Sequence, residues 1–247
     1  MEKQLQHDTI VPFKDSALGK KQQVARMFDN IAFRYDFMNR FLSGGIDIYW
    51  RKRAIRELSG IKPKSVLDVA TGTGDVAILT YKYLKPDKIT GIDLSEGMLQ
   101  LGRQKVAKLH LGNYIELLRG DSEAINFPDN SFDAITVAFG VRNYENLNKG
   151  LKEMHRVLKP GGKLVILEFS KPRKGLRGLY NFYMKTVAPF AGRLVSKNRE
   201  AYQYLNDSVQ AFPEGNFFLK LMEEAGWKKT YLKKLSLGIC TIYGGYK

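Results

Sequence analysis

The sequence predicts an α/β fold: a seven-stranded, mostly parallel sheet with helices on both faces and an antiparallel C-terminal hairpin. Three observations predict it. Short apolar runs alternate with helix-forming segments from residue 65 onward. One run, Ser65-Val-Leu-Asp-Val-Ala70, leads straight into the turn Thr71-Gly72-Thr73-Gly74 and then into helix-forming residues. The last two runs, 228–235 and 239–246, have no helix between them, so they pair antiparallel at one edge.

Each element follows in order. Residues 1–20 are polar and are expected to form a flexible N-terminus, frayed or loosely docked. Residues 21–247 are expected to form a single domain. Within it, 21–58 read as an N-terminal helical cap rich in aromatic and basic groups (Phe28, Phe33, Tyr35, Phe37, Phe41, Tyr49, Trp50), broken at Gly44-Gly45. Strand 65–70 precedes a helix near 74–84. Strand 88–93 precedes a helix near 96–109, for which Ser95 suits the N-cap. Strand 114–118 leads to Gly120-Asp121, and strand 132–138 leads to Gly140-Val-Arg-Asn143. A helix near 146–158 stops at Lys159-Pro-Gly-Gly162, and strand 163–169 follows. Residues 170–212 read as a basic, amphipathic helical insertion forming a lid. A helix near 215–225 then precedes the closing hairpin.

Composition narrows the classes. The chain has 247 residues and a formal net charge of +15. That excess fits an anionic partner, either nucleic acid or an anionic membrane surface, and it also fits a soluble protein that is simply basic. Cys240 is the only cysteine, so no intrachain disulfide forms and a reducing cytoplasm is expected. His7, His110 and His155 are too scattered for a metal cluster, and no metal is expected. No apolar signal core opens the chain, and no run approaches the ~20 apolar residues of a spanning helix. Membrane contact is therefore expected to be peripheral, at the inner face.

The glycine turn points to a nucleotide. Gly72 and Gly74 permit a tight turn and close approach of a ligand to the backbone. Asp93, at the tip of the second strand in Gly91-Ile-Asp93, suits both ribose hydroxyls. Gly72-x-Gly74-x-x-Ala77 also fits the loose dinucleotide pattern, but Asp68 and Asp75 flank the glycines and would repel a pyrophosphate. A ligand with a cationic amino-acid end, such as S-adenosylmethionine, suits Asp68, Asp75 and Asp93 together. Taken singly, Asp75 reads equally well as an N-cap, and Asp68 as a solvated strand end.

The motifs Asp68-x-Ala-x-Gly72-Thr-Gly74-Asp75, Gly91-x-Asp93-x-Ser95-x-Gly97-Met98-Leu99 and Phe127-Pro128…Ser131-Phe132-Asp133 resemble the class I S-adenosylmethionine-dependent methyltransferases, with their Rossmann-like sheet. Two further segments are narrower. Tyr35-Asp36-x-Met38-Asn39-x-x-x-Ser43-x-Gly45, ending in Trp50-Arg51, and Phe139-Gly140-Val141-Arg142-Asn143 resemble the two signatures of the demethylmenaquinone and ubiquinone C-methyltransferases. The resemblance spans roughly residues 20–247. It departs at Asp47-Ile48, where the family often has His-Arg, and at Ala138, where many members carry a serine; the second change removes one cofactor hydrogen bond.

The resemblance implies C-methylation of demethylmenaquinol to menaquinol, with a ubiquinone-precursor quinol as a further acceptor. It implies that the donor lies against Asp68, Thr71, Gly72, Gly74, Asp93, Asp121, Ser122 and Ala138. Asp121 would accept the adenine amino group, although a plain turn aspartate is the simpler reading of that residue. Arg142, Asn143 and Tyr35 are the implied catalytic residues. An arginine is a poor general base, so Arg142 would stabilise developing phenolate charge, with Asn143 fixing geometry. The simpler readings are a loop cap for Arg142-Asn143 and packing for Tyr35.

Lys171 to Arg199 holds eight Lys or Arg and no Asp or Glu, together with Leu176, Leu179, Tyr180, Phe182, Tyr183, Met184, Val187 and Phe190. Such a stretch suits an anionic membrane surface, RNA, or a lid packed on the domain. The expected partners are a prenylated quinol and the membrane surface, with no nucleic acid, and a homodimer is a candidate assembly. The rival functions are an RNA methyltransferase, a methyltransferase for a soluble phenol or sterol, a nucleotide-binding module and a nicotinamide oxidoreductase. Against the first, no Asn- or Asp-Pro-Pro-aromatic run follows the fourth strand, where Ala138-Phe-Gly-Val-Arg-Asn143 stands.

Overall fold

Every strand of the sheet centre carries apolar residues on both faces, the pattern of a sheet covered on both sides. The computed structural model describes residues 5–172 and 199–247 and bears this out. The strands are β1 (Ser65–Val69), β2 (Lys88–Asp93), β3 (Ile115–Arg119), β4 (Phe132–Ala138), β5 (Leu158–Phe169), β6 (Lys228–Leu235) and β7 (Cys240–Tyr246). They form one seven-stranded sheet in the order β3-β2-β1-β4-β5-β7-β6. The first five strands pair parallel, while β7 runs antiparallel to both β5 and β6.

The helices are α1 (Lys20–Ser43), α2 (Ile46–Arg56), α3 (Asp75–Leu84), α4 (Glu96–Lys108), α5 (Leu147–Val157), α6 (Arg199–Ala211) and α7 (Asn216–Glu224). Alternate strand residues feed two cores. Leu67, Val69, Ile135, Val137, Leu164 and Ile166 pack with α5 and α7 on one face. Val66, Ile89, Ala134, Val165 and Leu167 pack with α2, α3 and α4 on the other. A third, small cluster joins Val24 and Met27 of α1 to Tyr204 of α6.

The structure departs from the sequence reading at three places. β1 ends at Val69, because Ala70 turns to a left-handed φ of 54°. β5 starts at Leu158, which pairs with Phe132, and the ladder then breaks until Lys163 pairs with Ala134, so Lys159-Pro-Gly-Gly162 bulges out of the pairing. Residues 5–19, in the segment expected to be flexible, lie against the domain. His7 is 1% exposed, its Nε2 donates to the Arg142 carbonyl at 2.6 Å, and Lys20 Nζ donates to the His7 carbonyl at 2.7 Å. A buried imidazole with a partner resists fraying. Most of the proposed basic insertion, residues 173–198, lies outside the described residues.

Candidate active site

In an open parallel sheet, ligands settle beyond the carboxyl ends of the strands, where the strand order reverses. Here the order reverses between β1 and β4. A cleft opens there, roofed by α1, and its wall includes Gly72, Asp93, Asp121, Ser122, Ala138, Phe139, Asn143 and Tyr35. The residues that the sequence suggests for the donor and for catalysis thus largely share one cleft.

Backbone strain marks its rim. Ala70 and Phe139 follow β1 and β4 and take φ of 54° and 59°. Side chains held in the left-handed region cost of order 1–3 kcal/mol each and persist where the surroundings impose them. Gly140 allows this crossing: a Cβ there would sit 2.6 Å from the Ala70 Cβ. Gly72 itself has φ 57°.

Asp93 is the best-placed polar group. Its Oδ2 accepts from the Gly72 N–H at 2.8 Å and its Oδ1 from the Ser95 N–H at 2.9 Å. Each carboxylate oxygen keeps a lone pair beyond these bonds. Burial raises its pKa above the ordinary value. Beside it Ile92, Leu94 and Met98 supply an apolar wall suited to an adenine ring. Ser95 caps α4 as expected, accepting from the Met98 N–H at 3.2 Å, and also donates to Asp29 of α1 at 2.6 Å. At the far corner, Asp121 is bound by Lys21 of α1 at 2.8 Å, and Lys21 also reaches Glu123 at 2.9 Å.

Five residues stand elsewhere than the sequence suggested. Asp68 is 1% exposed and does not line this cleft; its two oxygens accept from Thr71 Oγ1 and Thr136 Oγ1, each at 2.6 Å. Burial pushes its carboxyl up to about 6, against the pull of those two hydroxyls. Thr71 is likewise turned inward to brace Asp68. Gly74 is the N-cap of α3, with φ 77°. Asp75 is neither that cap nor a cleft residue: it joins Lys105 at 2.8 Å and Arg40 at 2.7 Å. Burial alone would raise Asp75, but Lys105 and Arg51 hold it below the ordinary carboxylate range.

Arg142 is the fifth. It does not line the cleft; it is 3% exposed, and its Nη1 reaches Glu168 Oε1 at 2.7 Å and the Phe139 carbonyl. A buried guanidinium needs a buried counter-charge, and Glu168, the single acid in the apolar run of β5, supplies it. Arg142 therefore pins the strained loop from behind. Asn143 does face the cleft, and its amide is held by Tyr204 Oη, which donates to Oδ1 at 3.1 Å. Ala138 lines the cleft with a methyl group.

The residues that sequence reasoning did not bring out are Lys21, Lys105 and Glu168. Only Glu168 left a signal, an acid at the end of the apolar run that starts at Leu164. Among the described residues, no group of three or more His, Cys, Asp or Glu is placed to hold a metal.

A reversal-point cleft with a glycine turn, an aspartate at the tip of the second strand and an apolar wall beside it is the arrangement of the class I S-adenosylmethionine-dependent methyltransferases. Solved structures share the fold. A SAM-dependent methyltransferase from Thermotoga maritima superposes with a TM-score of 0.65 at 19% identity, over 90% of this chain and 98% of that one. Phosphoethanolamine N-methyltransferase 2 of Haemonchus contortus, solved with S-adenosylmethionine, gives 0.67 at 17% identity, over 95% of this chain and 61% of that one. The chain belongs to the ubiE/COQ5 methyltransferase family, whose model matches residues 17–247. A demethylmenaquinone methyltransferase of Bacteroides fragilis is 47% identical over 97% of this chain and 98% of its own. A ubiquinone/menaquinone biosynthesis C-methyltransferase, UbiE, of Geotalea daltonii is 49% identical over 92% and 97%.

Proposed function

We propose that the protein methylates a ring carbon of demethylmenaquinol, taking the methyl group from S-adenosylmethionine. The observation that carries this reading is a single cleft lined by Gly72 and Asp93 at the nucleotide end and by Tyr35, Phe139 and Asn143 at the other. The last three come from the two segments that resemble quinone C-methyltransferases. Relatives at 43% to 49% identity carry the matching names.

The bound donor supplies an electrophilic methyl on a sulfonium. The task of this chain is to align a weak carbon nucleophile in line with that methyl and to keep water out. Phe28 and Tyr35, edge to face at 5.7 Å, form an aromatic wall for a quinol ring. Asn143, fixed by Tyr204, offers its amide to a ring hydroxyl. Arg142 is a positioning residue: through the Phe139 carbonyl it holds the loop that presents Asn143. A quinol with one hydroxyl ionised pushes electron density onto the accepting carbon, so reduction of the acceptor is required.

The prenyl tail of such an acceptor lies in a bilayer, and the outer face of α1 and α2 supports peripheral contact with an anionic membrane surface. Phe33, Phe37 and Phe41 are 89%, 58% and 53% exposed, and Ile46 and Tyr49 continue the strip. Exposed arginines flank it, Arg26 and Arg34 on α1 and Arg53 and Arg56 on α2. Aromatic groups with arginine neighbours suit the headgroup boundary. Among the described residues no helix is long and apolar enough to cross a membrane.

The test offers methyl-labelled S-adenosylmethionine with reduced demethylmenaquinone in anionic liposomes and, in parallel, with bulk RNA. Label is expected in the lipid and is lost when the quinone is left oxidised. Label in the RNA alone overturns the reading in favour of the positive charge as guide.

A further inference from the structure

His7 stands ahead of the residues that the family model matches, 17–247, yet it is 1% exposed. Both of its ring nitrogens are held. Nε2 donates to the Arg142 carbonyl at 2.6 Å, and Nδ1 lies 3.1 Å from Asp8 Oδ1. Asp8 Oδ2 in turn accepts from the Leu5 N–H at 2.9 Å. Phe212 meets the imidazole edge to face, with centroids 6.2 Å apart. A ring gripped at both nitrogens keeps one orientation, so the hydrogen bond from Nε2 has a fixed direction.

The carbonyl that His7 holds lies one peptide before Asn143, the amide that faces the cleft. That carbonyl and the Asn143 N–H belong to one planar unit, so holding one aims the other. The Asn143 N–H donates to the Gly140 carbonyl at 2.9 Å, which closes the short turn at the cleft rim. The same N-terminal segment reaches Asn143 a second way. Ile10 and Phe13 pack against the cluster of Val24, Met27 and Tyr204, and the Tyr204 hydroxyl donates to Asn143 Oδ1 at 3.1 Å. Asn143 Nδ2 makes one bond among the described residues, a long one of 3.4 Å to the Phe139 carbonyl. An amide nitrogen carries two hydrogens, so one remains for an oxygen in the cleft. The loop needs bracing, because Phe139 holds a left-handed φ of 59°. Arg142 Nη1 braces it at the Phe139 carbonyl, and His7 braces it at the other end.

We propose that His7 is a positioning residue for methyl transfer: through the Arg142 carbonyl it sets the angle at which Asn143 presents its amide to the acceptor ring. This role rests on the acceptor contact assigned to Asn143 under the proposed function. The donor end of the cleft, at Gly72 and Asp93, does not depend on it.

Steady-state kinetics with S-adenosylmethionine and reduced demethylmenaquinone in anionic liposomes test the role, beside binding titrations with S-adenosylhomocysteine. His7→Asn keeps an amide where Nδ1 stands and loses the group that reaches Arg142. His7→Gln places an amide nitrogen near the position of Nε2. His7→Asn is expected to lower kcat about ten- to a hundredfold, the scale of a small misplacement near the chemistry, while S-adenosylhomocysteine binds as before. His7→Gln is expected to recover most of that kcat. In an Asn143→Ala background His7→Asn is expected to cost nothing further, since both act through one contact. A full second loss on top of Asn143→Ala overturns the proposal. So does S-adenosylhomocysteine binding that weakens in step with kcat, which makes His7 a brace of the whole domain. Should His7→Asn fail to fold, Asp8→Ala, which frees the ring to turn, is read against the same criteria. If the wild type transfers no methyl to the quinol, the functional reading fails and this role falls with it. Wild-type turnover that is indifferent to His7→Asn overturns this role alone.

Discussion

Asp68 shows how burial turns a carboxylate into a sensor. With its pKa pushed up to about 6, it is half protonated near that pH in the free protein. The native state holds this proton more tightly than the unfolded chain, whose value is the ordinary 3.8, so Asp68 contributes stability at low pH that is lost as pH rises through about 6. Asp68→Asn is expected to flatten this profile, as thermal melts across pH 4 to 8 will read; a slope left intact assigns it to another group. The sequence made Gly72 and Asp93 legible because their spacing follows from strand, turn and strand. The burial of Asp68 and the partners of Asp75 and Arg142 were not legible, because local spacing does not reveal which distant group a side chain meets. Lys105 claims Asp75 from thirty residues away and Glu168 claims Arg142 from twenty-six.

At the scale of elements, α1 works as a strap. It is stitched to the domain by Lys21 to Asp121, by Asp29 to Ser95 and the Gly97 N–H, by Asp36 to Thr73 and Lys105, and by Arg40 to Asp75. These polar residues thus face the domain beside Val24 and Met27, while Phe33, Phe37 and Phe41 point out. The helix was legible in the sequence, but which face it buries was not, since the usual rule puts apolar residues inside. Lys105 is the hub of the distal stitches, so Lys105→Ala is expected to raise amide exchange in residues 33–43 several-fold while β1 and β2 keep their protection. Unchanged exchange there makes Arg40 alone sufficient. The sheet strands were the most legible elements, because burial on both faces leaves continuous apolar runs.

For the whole molecule, the proposed membrane contact draws on the net charge of +15 and on the aromatic strip of α1 and α2. Co-flotation with anionic liposomes is expected, falling with added salt as screening removes the arginine contribution, and falling again when Phe33, Phe37 and Phe41 are all changed to Ser. Flotation that is nil, or indifferent to the triple change, removes this surface from membrane contact; light scattering then reads whether a second copy covers it. The sheet order has a further consequence during synthesis. β6 pairs, among the described residues, only with β7, which follows it in the chain. On the ribosome β6 must therefore emerge and wait, an unpaired edge next to other nascent chains. Lys228, Lys229, Lys233 and Lys234 stud that strand. Like charges refuse a strange edge while β6 waits for its own partner, so the lysines guard the nascent chain against aggregation.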